Sequence, residues 1–156
     1  MACHPSDPGI GNSVTYRGVA RPLGMADGFK KFIDLYDSPY NGLNFCQGCM
    51  SESLENPAEE IFDVIRYFGE RKKIFAVHLR NIKGSRNNFS EWYPDSGDMD
   101  FARVMKTLRD VEYPHSILVD HMPSLPNHHD DPDRKQAYAF GFGYIQAMIQ
   151  AVNSES

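Results

Sequence analysis

Three short apolar stretches of the chain each end in a side chain that can bind a metal ion. Gly42 to Phe45 leads into Cys46, Ile74 to Val77 into His78, and Ser116 to Val119 into Asp120. Runs of this kind are typical of strands buried on both faces of a parallel sheet. Ligands bind at the carboxyl ends of such strands. We therefore expect a thiol, an imidazole and a carboxylate at one edge of a sheet, a set that suits zinc, iron or manganese.

His4 is a fourth candidate ligand. It precedes a proline-rich turn, at a position where another strand would end. Each of these residues also has an ordinary interpretation, because a buried cysteine is often only a small hydrophobe and a strand-end histidine is often only hydrogen-bonded. Their shared position at the ends of successive strands favours one site made of His4, Cys46, His78 and Asp120.

Residues next to these candidates can supply further chemistry. Arg80 and Asn81 follow His78, and a guanidinium fork suits a substrate carboxylate. An ion pair between Arg80 and a neighbouring acidic side chain fits the spacing equally well. His121 follows Asp120 directly, and it is a candidate acid or base or a residue that holds a ligand in place.

Several other motifs have two interpretations each. Cys46 and Cys49 form a C-x-x-C, which suits a redox pair or half a zinc site, but we favour Cys46 as a lone ligand. His128 and His129, beside Asp130 and Asp131, resemble a metal cluster, but a solvated loop is the preferred interpretation. Tyr138 and Tyr144 lie on a helical stripe, which favours core packing.

The candidate ligands are separated by segments that predict helices. The first helix is predicted by the helical spacing of Phe29, Phe32, Ile33 and Tyr36. A second helix is expected to start at Asn56 and Pro57 and to end at a C-cap at Gly69. A third is expected to start at Asp98 or Asp100, and the last helix is expected at about 132–152. A polar excursion over residues 83–97 is too long for a simple strand-to-helix turn. The βα repeat indicates a parallel sheet, either open and doubly wound or part of a (β/α)₈ barrel.

Length and charge limit the possible functions. The 156 residues are compatible with one domain over residues 1–156, and a complete barrel needs about 250 residues. The formal net charge of −5 and the absence of a basic run argue against nucleic-acid binding. Neither a membrane-spanning run nor a signal-peptide pattern is present, so we expect a cytoplasmic protein without a membrane partner.

The chain resembles the mannonate dehydratase family. The resemblance is carried, in order, by residues 1–8 (MACHPSDP), 42–48 (GLNFCQG), 77–82 (VHLRNI), 97–100 (GDMD), 119–123 (VDHMP) and 143–145 (GYI). It implies the C-terminal half of a xylose-isomerase-like TIM barrel with about four βα units. It also implies a cytoplasmic lyase that dehydrates D-mannonate to 2-dehydro-3-deoxy-D-gluconate in hexuronate and glucuronate catabolism. Mn²⁺ or Fe²⁺ would be bound by His4, Cys46, His78 and Asp120.

The resemblance suggests roles for the remaining candidates. Arg80 and Asn81 are expected to bind the sugar acid, and Arg80, His121 and Tyr138 are the expected catalytic residues, with Tyr144 the alternative tyrosine. The rival functions are a metal-dependent sugar isomerase or epimerase and a non-catalytic half-barrel fragment. Because half a barrel leaves two strand edges unpaired, we expect association with a second copy or with a complementing half-barrel chain.

Overall fold

A computed structural model of the chain describes residues 1–10, 14–124 and 134–155. Its elements alternate between strands and helices along most of the chain. Their order is β1 (Ala2–Cys3), β2 (Thr15–Tyr16), β3 (Val19–Ala20), α1 (Ala26–Asp34), β4 (Gly42–Cys46), α2 (Gln47–Glu52), α3 (Pro57–Glu70), β5 (Ile74–Leu79), β6 (Asn81–Ser85), β7 (Asn88–Trp92), α4 (Phe101–Asp110), β8 (Ile117–Val119) and α5 (Lys135–Ser154).

The main sheet has four parallel strands in the order β1-β4-β5-β8. Each new strand is added at the same edge, so the order along the chain equals the order in space. A doubly wound sheet would reverse direction at a switch point, whereas a barrel continues in one direction. The topology therefore confirms the predicted partial barrel. In this sheet Cys46 pairs in register with His78, and His78 with Leu118.

The hydrophobic core lies on one face of this sheet, between the strands and the helices. Phe29, Phe45, Phe62, Phe68 and Phe101 are almost completely buried there. The opposite face carries Asn44, Ala76, His78 and Leu118, which are half-buried or exposed, with Leu118 41% exposed. In a complete barrel this second face is the packed interior. None of the helices in the described part of the chain is long and apolar enough to cross a membrane.

The helix ends agree only partly with the signals in the sequence. Asp100 caps α4 as predicted, because its carboxylate accepts a hydrogen bond from Arg103 N at 3.0 Å. Asn56 is the N-cap residue of α3 but its side chain makes no capping bond; instead its backbone N–H donates to Glu60 Oε2. The predicted C-cap at Gly69 is wrong. The helix continues to Glu70, and Gly69 is needed because a Cβ there would lie 2.5 Å from Val111 Cγ2.

Two elements were not predicted as such, and both contribute to the site. The short helix α2 follows β4 immediately and is buried along its whole length. The excursion at 83–97 holds most of the antiparallel hairpin of β6 and β7, which begins at Asn81 and whose turn includes Asn87 at φ 63°. Asn tolerates this left-handed conformation better than most residues. The last helix begins at Lys135, later than expected, and Phe140 on this helix is 41% exposed.

Candidate metal centre

The ends of three strands bring the predicted thiol, imidazole and carboxylate together. One ligand atom each of Cys46, His78 and Asp120 lies within 4.8 Å of the others. Cys46 Sγ is 3.1 Å from Asp120 Oδ2, and His78 Nδ1 is 3.7 Å from Asp120 Oδ1. Parallel pairing explains the convergence, because register places Cys46 beside His78 and Asp120 directly follows β8.

His4 approaches the same cluster from the end of β1. One of its ring nitrogens, Cys46 Sγ and Cys49 Sγ lie within 4.8 Å of one another, and the rings of His4 and His78 are 5.3 Å apart. His4 Nδ1 is 2.7 Å from the Pro5 carbonyl oxygen. Since a carbonyl only accepts, Nδ1–H donates this bond, and Nε2 is the nitrogen left to bond Cys46 or, when it is deprotonated, to bind a metal. All four predicted ligands therefore meet around Cys46.

The ring of His78 offers a nitrogen without a hydrogen-bond partner among the described residues. Its Nδ1 is buried and makes no hydrogen bond, while Nε2 lies 3.2 Å from Asn44 Nδ2. The amide oxygen of Asn44 is also buried and lacks a partner within the described chain. Turning that amide by half a rotation lets its oxygen accept a hydrogen bond from Nε2–H. His78 Nδ1 then presents a lone pair to the cluster, as a metal-ligating histidine does.

Hydrogen bonds and nearby charge favour the thiolate form of Cys46. A hydrogen bond from Cys49 holds the pKa of the Cys46 thiol far below its usual value. The nearby imidazoles of His4 and His78 and the charge of Arg80 lower this pKa further, and together these contacts outweigh the effect of burial. The Cys49 thiol has the opposite shift, because its bond to Cys46 and its burial raise its pKa. These shifts make Cys46 the thiolate of the C-x-x-C pair and the candidate metal ligand, and they make Cys49 the protonated thiol.

Two neighbours of Cys46 hold their protons more tightly than usual. The hydrogen bond between His4 and Cys46 raises the pKa of His4. Burial, followed by the negative charge of Cys46, raises the pKa of Asp120. Both shifts express an excess of negative charge in a partly buried place. A cation at this position would relieve that excess, so the donor set fits a divalent metal.

Arg80 is buried behind the cluster and is not directed towards open space. Its side chain is 1% exposed and forms ion pairs with Glu52, Glu91 and Asp120. Nη2 also donates to Cys49 Sγ at 3.2 Å. This arrangement does not support the expected fork on a substrate carboxylate, because the guanidinium is already surrounded by the protein's own acidic groups.

Asn81 is also fully engaged within the protein. Its amide donates to the carbonyl oxygens of Pro94 and Met99, and its side-chain oxygen accepts from the backbone of Ile82 and Met99. The side chain therefore fastens the hairpin to the segment before α4. The geometry gives no support to the expected role of Asn81 in substrate binding.

His121 lies at the border of the cluster with one side towards solvent. Its Nδ1 is 3.2 Å from Glu91 Oε1, and its Nε2 is 3.8 Å from Asp120 Oδ1. The hydrogen bond to Glu91 raises the pKa of His121, and burial opposes this effect. The position fits the expected acid or base, whose role stays a prediction.

A second group of acidic and sulfur side chains also contacts Arg80. One ligand atom each of Asp7, Cys49 and Glu52 lies within 4.8 Å of the others. Glu52 is completely buried, and this burial raises the pKa of its carboxyl to about 7 although Arg80 lowers it. Its Oε1 is 2.7 Å from Arg80 Nη2, and its Oε2 accepts from Gly9 N at 3.1 Å. This group is anchored to Arg80.

The remaining candidates lie away from these contacts. Tyr138 is half-buried on α5, and within the described residues its hydroxyl makes no hydrogen bond, so its catalytic role stays a prediction. Tyr144 packs against Phe101 and Phe140, as expected for the core. Tyr93 donates to the Pro123 carbonyl oxygen, which anchors its loop. The motif at His128 and His129 lies outside the described residues.

Sequence reasoning missed three side chains that organise the site: Asn44, Glu52 and Glu91. Asn44 had a usable signal, because a polar residue inside a buried strand needs a partner. Glu52 and Glu91 had no such signal, since the position of the first depends on α2 and that of the second on the hairpin.

The volume of the cavities does not locate the site either. A cavity of about 760 Å³ lies near Met1, Tyr40, Phe75 and His115, away from every candidate ligand.

The fold and the site together define a partial α/β barrel with a candidate metal centre at the carboxyl ends of its strands. A family model described as D-mannonate dehydratase (UxuA) matches residues 1–156. The chain therefore belongs to the D-mannonate dehydratase family.

Individual relatives agree with this assignment. The mannonate dehydratase of Thermotoga petrophila is 33% identical over 124 residues, which are 78% of this chain and 32% of the relative. The corresponding protein of Streptococcus equi subsp. zooepidemicus is 30% identical over 123 residues, again 78% of this chain and 32% of the relative. The chain thus spans about a third of the length of these relatives.

Solved structures show the same architecture. The crystal structure of mannonate dehydratase from Streptococcus suis serotype 2 superposes with a TM-score of 0.75 at 26% identity, covering 97% of this chain and 44% of the other. A xylose isomerase domain protein from Planctomyces limnophilus superposes with a TM-score of 0.63 at 16% identity, covering 83% and 43% of the two chains. The second similarity concerns the fold alone, and it confirms the expected xylose-isomerase-like barrel.

Proposed function

We propose that this chain carries the metal-binding half of a mannonate dehydratase, which removes water from D-mannonate to give 2-dehydro-3-deoxy-D-gluconate. The observation that carries the proposal is the cluster of Cys46, His78 and Asp120 in a chain of this family. The metal would be held by these three residues and His4. Thiolate, imidazole and carboxylate ligands suit Mn²⁺ or Fe²⁺. The family's place in cytoplasmic hexuronate catabolism supports the same location and pathway for this protein.

The reaction removes a proton beside a carboxylate and a hydroxyl from the next carbon. When bound, the divalent cation would supply Lewis-acid stabilisation of the negative charge that develops there. His121 is the proposed proton-transfer residue, because it borders the cluster and is partly open to solvent. Glu91 orients its ring through Nδ1. General acid–base transfer of this kind contributes about 10²–10⁴-fold to a rate.

We also propose that the open sheet is completed by further polypeptide, either a second copy or a complementing half-barrel. The sheet has β1 and β8 at its two edges, and its barrel-facing side carries the half-buried or exposed Asn44, Ala76 and Leu118. Unpaired parallel edges bind other strands readily. Light scattering on the purified chain should therefore give a mass above that of the 17.7 kDa monomer. A stable monomer with full dehydratase activity would contradict this proposal.

The test of function mixes the metal-loaded chain with the N-terminal half-barrel of a full-length relative. Formation of a 2-keto-3-deoxy acid from D-mannonate is measured against time. We expect product from the mixture, loss of product with Cys46→Ser, and retention with Cys3→Ser, since Cys3 packs against the core on the other face. A mixture that assembles and binds metal but only interconverts sugar acids indicates an isomerase or epimerase. A mixture that assembles and binds metal but shows neither activity indicates a non-catalytic fragment, and both results contradict the dehydratase.

A further inference from the structure

We propose that the buried Glu52–Arg80 ion pair positions the ligands of the metal centre. This inference rests on the proposed metal centre, and it assigns Arg80 a role that is different from substrate binding. Glu52 and the Arg80 side chain are 0% and 1% exposed, and their charged atoms are 2.7 Å apart. Both residues therefore act on the site from within the protein.

The pair contacts all four chain segments that bring a ligand to the site. Arg80 itself follows His78 by two residues on the same segment, and its Nε lies 3.4 Å from Asp120 Oδ2. Its Nη2 donates to Cys49 Sγ at 3.2 Å, and Cys49 N donates to Cys46 Sγ at 3.5 Å. Through these contacts Arg80 forms an ion pair with Asp120 and is linked to Cys46 through one intermediate residue.

The fourth segment is the loop that follows His4. Glu52 Oε2 accepts a hydrogen bond from Gly9 N at 3.1 Å, and Arg80 Nη2 lies 3.7 Å from Asp7 Oδ2. Glu52 thus ties this loop to α2 while it binds Arg80. In the described chain, one ion pair links the segments of His4, Cys46, His78 and Asp120.

Stability alone does not account for such a pair. Burying two charges costs several kcal/mol per ion, and replacing a buried pair by apolar residues of similar volume is often neutral or stabilising. Gly48 leaves space for the Arg80 side chain, because a Cβ on Gly48 would lie 2.2 Å from Arg80 Nε. Groups that orient metal ligands typically change metal affinity 10–100-fold when they are replaced. We assign the Glu52–Arg80 pair to this class.

The experiment measures cobalt binding to the purified 156-residue chain. CoCl₂ is titrated in, and binding is followed by the thiolate-to-cobalt charge-transfer absorption that reports Cys46. Glu52→Gln keeps the shape of the side chain and removes its charge, and Arg80→Lys keeps the charge and removes the fork. The matched controls are Glu59→Gln and Arg103→Lys, which alter an exposed ion pair with side chains 65% and 45% exposed.

We expect cobalt affinity to fall about 10- to 100-fold in Glu52→Gln and in Arg80→Lys, with a weaker or shifted absorption band, and to stay unchanged in both controls. Circular dichroism establishes that each variant is folded. Folded variants with wild-type affinity and spectrum would overturn the proposal, and so would unfolding of both variants in excess cobalt, since the pair would then sustain the fold itself. Failure of the wild type to bind cobalt overturns the metal centre as well. Cobalt binding by the chain, with no dehydratase activity in the mixture with the complementing half-barrel, contradicts only the proposed function.

Discussion

At the scale of single residues, the main feature of the site is that several acidic side chains and the Cys46 thiolate surround one guanidinium, that of Arg80. Arg80 faces Glu52, Glu91 and Asp120, and the Cys46 thiolate lies beside Asp120. One guanidinium does not balance these charges. Burial raises the pKa of Asp120 and the negative charge of Cys46 adds to this effect, while the hydrogen bond to Cys46 raises the pKa of His4. A divalent cation would neutralise the excess of negative charge.

Gly48 provides a test of how closely Arg80 is packed. The Cβ of an alanine at this position would lie 2.2 Å from Arg80 Nε, and the buried helix α2 leaves little room for movement. We expect Gly48→Ala to lower the free energy of unfolding by about 1–3 kcal/mol, as overpacking does. Gly143→Ala is the control, because nothing lies within 4 Å of its Cβ and alanine favours a helix. Urea denaturation measures the free energy of unfolding of both variants. A Gly48→Ala variant as stable as the Gly143→Ala control would contradict the close packing of Arg80.

Glu52 should make stability depend on pH. Its pKa is about 7 in the folded chain and 4.5 as the ordinary value, so between these values the folded state binds more protons than the unfolded state. The contribution to stability is therefore full below pH 4.5 and is lost as the pH rises through about 7. The shift corresponds to roughly 3 kcal/mol.

Glu52→Gln, which is neutral at every pH, should remove this loss. Urea denaturation in chelator-containing buffer should show the variant gaining stability over wild type when the pH rises from 5 to about 8. Glu59→Gln, at an exposed position, serves as the control. If the difference in the free energy of unfolding between Glu52→Gln and wild type is the same at both pH values, the raised pKa of Glu52 is contradicted.

At the scale of elements, the strands were predictable and two connecting elements were not. The apolar runs predicted β4, β5 and β8 to within a residue or two, because a strand buried on both faces needs such a run. Helix α2 has no apolar stripe to reveal it, since all of its residues are buried, including Gln47 and Glu52. The hairpin of β6 and β7 is mostly exposed and polar, so its strands resemble a loop in sequence.

The hairpin is held in place by the side chain of Asn81, the residue expected to bind substrate. Asn81 makes four hydrogen bonds to the backbone at 82, 94 and 99, and its side chain is buried. Asn81→Ala leaves buried backbone groups without partners, at about 1–3 kcal/mol for each unsatisfied group. We expect a clear loss of thermal stability, with faster hydrogen exchange in β6 and β7. The exposed Asn88→Ala is the control, and unchanged exchange in Asn81→Ala would contradict this role.

At the scale of the whole molecule, parallel pairing explains why the site could be predicted at all. Side chains at equivalent positions of neighbouring strands must lie at one sheet edge, so Cys46, His78 and Asp120 followed from strand order. The partners of Arg80 and Asn81 could not be predicted, because they come from α2, the hairpin and the segment before α4. These partners are distant in the sequence, and only the folded chain brings them near.

The central claim is that one metal ion is bound by the four strand-end residues, and X-ray absorption at the metal edge tests it most directly. The chain is loaded with one equivalent of Fe²⁺ or Mn²⁺ and the nearest scatterers are counted. We predict one sulfur together with nitrogen and oxygen neighbours, and we predict that Cys46→Ser removes the sulfur whereas Cys49→Ser retains it. A metal surrounded only by nitrogen and oxygen in the wild-type chain, or a sulfur that persists in Cys46→Ser, would contradict the claim.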